Sequence, residues 1–245
     1  MNSAMERLSS GLRINSAKDD SAGQGIAIRL SAEIMGLDMA SRNASDAQSM
    51  IDTAEAAHQE VHNMLLRMRE IAVQAANGTL SGADRTALNE EVSALENEIT
   101  SIADSTSFAG INLGTSSAVT FQIGTNNGDT LSHTFKDFDK AAIGADVAVD
   151  TVTNAGAAVS TIDAAISVVS TRRGELGALS NRLSSTIANL DNISVNLSSA
   201  RGRILDTDFA EETSNLAKSQ IMQQAATAML AQANASKQTV LALIQ

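Results

Sequence analysis

Cysteine, proline, tryptophan and tyrosine are absent from this 245-residue chain, and phenylalanine occurs only five times. The missing cysteine excludes disulfide frameworks, thiolate metal sites, iron–sulfur ligation and thiol nucleophiles together. It leaves the compartment open, since a chain without thiols is indifferent to redox conditions. The missing proline says more, because proline makes up about 5% of an average sequence. A chain that avoids the strongest helix breaker, and has few aromatic rings to fill a broad core, is expected to form long helices packed on small residues. Positive charge is also short. With 17 Lys and Arg against 28 Asp and Glu the net charge is −11 and the pI is near 4.6. That balance argues against a nucleic-acid partner, which needs a basic surface, and against electrostatic docking on anionic lipid. No uninterrupted apolar run reaches the roughly 18 residues of a membrane span, so no membrane partner is expected. The segment Met1–Arg7 has neither an apolar core nor a cleavage site, so export would not use a standard signal peptide.

What is present is periodicity. Leu30, Ile34, Leu37, Ser41, Ala44, Gln48, Ile51, Ala54, His58, Val61, Leu65, Met68, Ala72 and Ala75 recur in steps of three and four. This is a coiled-coil seam with Ala, Ser and Gln where Leu would be stronger. Small seam residues let helices approach closely but bury little area each, so such a helix leans on neighbours along its whole length. Asn77-Gly78 reads as a stop built on residues that tolerate the left-handed region. Ser81-Gly82-Ala83-Asp84 reads as a restart, followed by Leu88, Val92, Leu95, Ile99 and Ile102, with Glu90, Glu91, Glu96 and Glu98 on wet faces.

Between Phe108 and about Ala155 the character changes. Four of the five Phe lie at 108–138 and six of the 15 Gly at 110–156. Alternating stretches at 118–124 and 130–135 flank Asn126-Asn127-Gly128-Asp129, the signature of a hairpin. A small β element is expected here, too short to stand alone. Helical periodicity returns near Thr153 and continues through Val159, Ile162, Ile166, Val169, Leu176, Leu179, Leu183, Ile187, Leu190, Ile193, Leu197, Ala200 and Ile204. After a non-periodic Ile204–Phe209, in which Asp208 is placed to cap, a last helix runs from about Ala210 to Gln245. It is apolar or small on several faces, and its end, Thr239–Gln245, would be exposed and adhesive on a lone molecule. The fold class expected is therefore mainly α: a long antiparallel coiled-coil bundle with a small β-hairpin region inserted in the middle.

Candidate chemistry is sparse. His58-Gln59-Glu60-Val61-His62 places two His at i and i+4 on a helix, as a zinc peptidase does. The acid of that motif must follow the first His directly, where this chain has Gln59, and Glu60 sits about 100° further round. Glu55 lies one turn before, but no third ligand is evident. The favoured reading is a pair of seam and flank histidines, with no metal, no cofactor and no enzyme activity. Asp19-Asp20 and Asp206-Thr207-Asp208 could suggest paired-carboxylate chemistry or a hard cation. Their places at helix boundaries favour capping instead. No phosphate loop and no Ser/His/Asp spacing is present.

Four separated segments carry a resemblance. Glu6-Arg7-Leu8-Ser9-Ser10-Gly11-Leu12-Arg13-Ile14-Asn15-Ser16-Ala17-Lys18-Asp19-Asp20-Ser21-Ala22-Gly23-Gln24 resembles the amino-terminal signature of bacterial flagellins almost residue for residue. Met68–Gly78, Phe108–Leu113 and the carboxyl end are similar to three further hallmarks of that family. The likeness implies a structural subunit that polymerises into the flagellar filament for swimming. It further implies a terminal coiled-coil region lining the filament core and an outer helical domain. In that frame residues 1–21 are the end of the amino-terminal core helix plus a spoke. Residues 22–113 and 153–203 are the two halves of the outer-tube domain, 114–152 the β-rich central segment, and 204–245 the second spoke plus the carboxyl-terminal core helix. Family members normally begin well before Glu6, so the chain is expected to lack part of its first helix. Its last thirty-odd residues are then expected to be mobile, and the chain alone to assemble poorly.

The resemblance also implies partners: copies of the same chain, filament cap and hook-junction proteins, a cytoplasmic export chaperone, and export through the flagellar type III apparatus to the cell exterior. It further implies recognition by the innate immune receptor Toll-like receptor 5 through Arg67 and Ile71 on the long helix and Glu91 on the next. Asp19, Asp20, Asp206 and Asp208 fall in the spokes, where they would fix turns and contact neighbouring subunits. Thr and Ser residues at 115–134 are candidates for O-linked sugars. A competing reading from another class is a signalling coiled coil such as a chemoreceptor cytoplasmic hairpin, which shares the Ala/Ser/Gln-rich heptads. It needs a membrane anchor and leaves the β insertion unexplained. An enzyme or adhesin on the same frame would need a larger middle segment.

Overall fold

The computed structural model describes the backbone of residues 2–244 and side chains up to residue 233. The elements are α1 (Asn2–Ser10), α2 (Ser21–Ala75), α3 (Gly82–Ser105), β1 (Ser107–Phe108), β2 (Ile111–Asn112), β3 (Ser117–Gln122), β4 (Thr130–Phe135), α4 (Val152–Leu205) and α5 (Phe209–Ile244). The expected fold class holds. Proline-free sequence allows α2 and α4 to run unbroken for 55 and 54 residues, each roughly 80 Å long. By contact the chain divides into two units: Gly36–Asn192, and Met1–Met35 with Ile193–Gln245.

In the first of these, α2 and α4 are antiparallel. Ser41 donates to Asp191, Gln48 to Ser184, Arg173 to Glu55 and Arg69 to Asp163, so rising numbers on one helix meet falling numbers on the other. The predicted seam is buried where it was expected: Leu37, Ala44, Ile51, Ala54, His58, Val61, Leu65, Met68, Ala72 and Ala75 face inward. Ala155, Ile162, Ala165 and Val169 of α4 and Val92, Ile99 and Ala103 of α3 complete one cluster with Phe138. A second cluster joins Ala47, Met50 and Ile51 to Leu176 and Leu183, with Leu131 and Phe135 of β4 as its cover. One 18-residue stretch of α4 has a mean hydropathy of 1.4, enough by length and composition to cross a membrane. The stretch belongs to a helix whose Ile162, Ala165 and Val169 are core residues.

Three local devices differ from the sequence reading. The stop of α2 at Ala75 involves no left-handed residue, since Gly78 is not among the positive-φ glycines. Instead the buried Arg85 of α3 gives Nε to the carbonyl of Ala75 and Nη2 to that of Asn77, both at 3.0 Å. It thereby satisfies carbonyls a helix end leaves open. Glu96, expected on a wet face, is buried. It accepts from the backbone N–H of Val147 at 2.7 Å and from Lys140 at 3.3 Å, tying the 136–150 segment onto α3. A first hairpin, β1–β2, was not anticipated. Ala109 (φ 49°) and Gly110 (φ 83°) both take left-handed φ, as a two-residue primed turn requires.

The restart expected at Ser81 is present, and it takes the form of a capping box with Asp84. The β3–β4 hairpin is also present, pairing Ser117 with Phe135 and Gln122 with Thr130. Its loop is wider than a two-residue turn: Asp129 caps the backbone N–H of Asn126 at 3.0 Å and only Gly128 has positive φ.

In the second unit, Arg201 of α4 donates to Ser31 of α2, and Arg7 of α1 reaches Glu212 of α5 at 3.7 Å. Among the described residues the buried apolar ones here are Ala4, Ile14, Ala27 and Ile34. From Ile221 to Ala233 every side chain of α5 is exposed. The adhesive end Thr239–Gln245 lies outside the residues whose side chains are described.

Candidate functional site

Three groups of residues carry the functional argument. The first is centred on Arg67, on the outer side of α2. Its Nε and Nη2 donate to Glu91 Oε1 of α3 at 3.0 and 2.8 Å, and Nη1 donates to Glu70 at 2.6 Å. The hydrogen bonds from Glu91 and then Glu70 hold its guanidinium above the ordinary arginine range. Three of the five guanidinium N–H donors are thus engaged, and two remain on an exposed head group. Ile71, one turn further on, was expected beside Arg67 and Glu91 in a contact patch. It is fully buried, in the cluster that holds Val92 and Ile99 of α3. Helix α2 is covered on two sides here, by α3 and by α4, so its apolar stripe is wide enough to take in Ile71 as well as Ala72. The exposed patch is therefore Arg67 and Glu91, with Ile71 beneath it.

The second group joins the segments that follow α1 and α4. Gly11 (φ 72°) ends α1 in the left-handed region, its N–H bonding the carbonyl of Arg7 at 2.8 Å. The chain then pairs with the end of α4. Leu12 bridges Asp206, Arg13 N–H donates to the carbonyl of Leu205 at 2.6 Å, and Thr207 N–H donates to that of Gly11 at 3.0 Å. Arg13 Nη2 also caps the carbonyl of Ile204 at 2.8 Å.

The acidic residues of this region act as caps. Asp19 accepts from the N–H groups of Asn15 and Ser16 and from the Ser16 hydroxyl. The Ser16 side chain, more than its backbone, draws the carboxyl below its ordinary value. Asp20 caps α2 through Ala22 and Gly23, at 3.1 and 2.9 Å. A Cβ on Gly23 would lie 2.3 Å from the Asp20 carboxylate. Asp208 caps α5 through Ala210 and Glu211. Beside this pairing lies a groove of about 360 Å³ whose lining includes Leu12, Ile14, Ala27, Ile28, Met35 and Leu205.

The third group contains His58. It is not a ligand pair with His62. His58 is a core residue whose Nδ1 lies 2.8 Å from the carbonyl of Ala54, and its ring packs on Phe138 at a centroid distance of 4.5 Å. Among the described residues no three His, Cys, Asp or Glu side chains converge as a metal site would require.

Comparison with known proteins decides between the filament and signalling readings of such a helical chain. Residues 1–116 match the family model described as the bacterial flagellin N-terminal helical region, and residues 159–244 match the bacterial flagellin C-terminal helical region. The chain belongs to the bacterial flagellin family. A flagellin of Halalkalibacterium halodurans is 46% identical over 99% of this chain and 91% of its own length. Flagellin B of Vibrio cholerae is 34% identical over all of this chain and 93% of its own. Among solved structures, Bacillus cereus flagellin matches 65% of this chain and 94% of its own with a TM-score of 0.56 and 30% identity. A protein titled a putative flagellar hook-associated protein from Vibrio parahaemolyticus shares the fold over 77% of this chain, TM-score 0.65, at 16% identity. Members of the family are structural proteins of the flagellar filament, an extracellular structure, and not enzymes. The competing chemoreceptor reading falls with this match, and the β insertion it left unexplained lies between the two matched regions.

Proposed function

We propose that this chain polymerises with copies of itself, after export through the flagellar type III apparatus, into the filament that drives swimming. The observation that carries the reading is the bare face of α5. Ile221, Met222, Met229 and Leu230 are all more than 60% exposed, on a helix whose residues 219–236 carry no charge. Large exposed apolar rows mark surfaces that a partner covers. Copies of the same chain would cover it in the filament. A cytoplasmic chaperone would cover it before export, and cap and hook-junction proteins would meet it at the two ends. The paired segments around Leu12 and Asp206 serve as the spokes between core helices and outer-tube domain. Asp19, Asp20, Asp206 and Asp208 act there by fixing the turns that neighbouring subunits meet. Electron microscopy and sedimentation of the full chain test this. Filaments of the unaltered chain, even if formed only at high concentration, support it and their absence overturns it. Met222→Gln with Leu230→Gln, in a chain that still folds, should raise the concentration they need.

A second reading rests on the Arg67 patch: recognition by Toll-like receptor 5. An arginine with two free donors, braced by Glu91 and standing over a rigid core, suits an interface anchor. Glu91 sets its direction and Ile71 supports it from below. A receptor-reporter assay in which Arg67→Ala and Glu91→Ala together leave the response unchanged would remove this reading.

A further inference from the structure

Two of the chain's three histidines meet at one place. His58 of α2 and His133 of β4 line a cavity of about 10 Å³ together with Lys136, Arg172, Glu175 and Leu176, room for about one water molecule. We propose that this cluster is an acid-sensitive latch. A proton taken up at His58 loosens the β3–β4 hairpin and the 136–149 segment from α2 and α4, independently of any assembly.

His58 packs the middle segment directly onto α2. Its ring packs on Phe138, which is fully buried and is the only phenylalanine of the 136–149 segment. Nδ1 faces the carbonyl of Ala54, which can only accept, so the neutral ring carries its proton on Nδ1. A second proton would have to sit on Nε2 of a ring only 3% exposed, beside that one-water cavity, where the neighbouring carboxylates are already engaged. On α2, Glu55 is already paired with Arg173 of α4 at 2.7 Å. On α4, Glu175 is paired with Lys136 at 2.9 Å. Asp137 spends Oδ1 on the N–H of Asp139, while its carbonyl accepts from Arg172. Among the described residues Arg172 has no carboxylate within ion-pair distance. Burial works against its charge while Asp137 and Glu175 support it from beyond ion-pair distance, and it lines the cavity with His58.

Burial chiefly, and then Arg172 and Arg173, press the His58 imidazole below its ordinary value, against the Ala54 bond and Glu55. Burial does the same to His133, helped by Lys136 and opposed by Glu175. His133 stands edge-on to Phe135, 4.9 Å away, and Phe135 in turn covers the second core cluster. Both rings therefore hold the middle segment while neutral.

The sign follows from linkage. A histidine that stays neutral when folded but charges when unfolded contributes no pH dependence above its unfolded value of about 6.5. Below that value it destabilises the closed state, up to tenfold in the opening equilibrium per pH unit. The window opens at about pH 6.5 and runs down to the folded value.

Amide hydrogen exchange of the full chain, corrected for intrinsic rates and read peptide by peptide between pH 7.5 and 5, tests the latch. Protection in 130–149 is expected to fall by about tenfold or more, with 155–190 holding. His58→Phe, which keeps a ring against Phe138, is expected to remove most of that loss, and His133→Gln a smaller part. An equal loss in His58→Phe overturns the proposal. Should that variant fail to fold, NMR titration of the histidine ring protons in the unaltered chain decides. A His58 midpoint at or above the ordinary value overturns the latch, and one well below it supports it.

Discussion

The segment Gly36–Asn192 and the unit formed by Met1–Met35 with Ile193–Gln245 draw on the same two long helices and spend their apolar residues in opposite ways. In the first, Ile51, Leu65, Met68, Ile99, Phe138, Ile162 and Leu183 are fully buried. In the second, the described buried apolar set is Ala4, Ile14, Ala27 and Ile34, while Ile28, Met35, Val195, Ile221, Met222, Met229 and Leu230 are exposed. Along α4 no described side chain beyond Leu190 is buried. Composition does not separate the two, since both are rich in Ala, Ile, Leu and Met. What separates them is whether a third layer covers the helix pair. The middle unit has α3 and the 107–150 segment for that purpose. Among the described residues the terminal unit has no such layer.

That contrast is tested hardest where the cover is thickest. Phe138→Ala removes a fully buried ring that joins the 136–149 segment to both long helices. It should cost about 3–5 kcal/mol in urea unfolding followed by far-ultraviolet circular dichroism. A loss below 1 kcal/mol would mean that the third layer is not what stabilises the middle unit.

Next in size are the buried charges that hold the cover in place. Glu96→Ala strips the Val147 N–H of its acceptor and leaves Lys140 without its closest carboxylate. Arg85→Ala opens the carbonyls of Ala75 and Asn77. Each should cost about 1.5–3 kcal/mol, the range for hydrogen bonds to charged groups. Glu96→Gln, which keeps an acceptor, should recover part of the loss. Hydrogen exchange would place the Glu96 effect in 140–150 and the Arg85 effect in 72–80.

These two residues also mark where the sequence stopped being legible. The seams of α2 and α4, the Ser81–Asp84 box, the β3–β4 hairpin and the Asp208 cap were readable because each is specified within one or two turns of chain. Arg85 and Glu96 were not, because their partners lie in other segments of the chain. Ile71 failed for a related reason. A single seam assigns each helix one apolar stripe, whereas α2 here meets neighbours on two sides. Ala109 gives no sign in sequence that it takes a left-handed φ, although Gly110 beside it does mark a turn.

Smaller effects belong to the caps of the terminal unit. Asp208→Ala removes the acceptor for Ala210 and Glu211 N–H groups at the start of α5. Asp20→Ala does the same for Ala22 and Gly23 at the start of α2. Each should cost about 1 kcal/mol of local stability, read as faster exchange in the first turn of the affected helix. The global unfolding midpoint, governed by the covered unit, should scarcely move.

The smallest effect on the isolated chain should come from the most exposed apolar residues, and there the comparison is sharpest. Met222→Gln with Leu230→Gln preserves helix propensity and removes no described internal contact of a buried residue. Unfolding of the monomer should therefore shift by no more than about 0.5 kcal/mol. If copies of the chain bury these side chains, each substitution forfeits about 1.5 kcal/mol or more of apolar burial. Two together raise the concentration needed for polymer by roughly a hundredfold. A variant that folds as before yet polymerises as before would show that α5 is covered by something other than its own kind. A variant that loses stability instead would place these residues in an intramolecular core, and the division between a self-covered unit and a partner-covered one would dissolve.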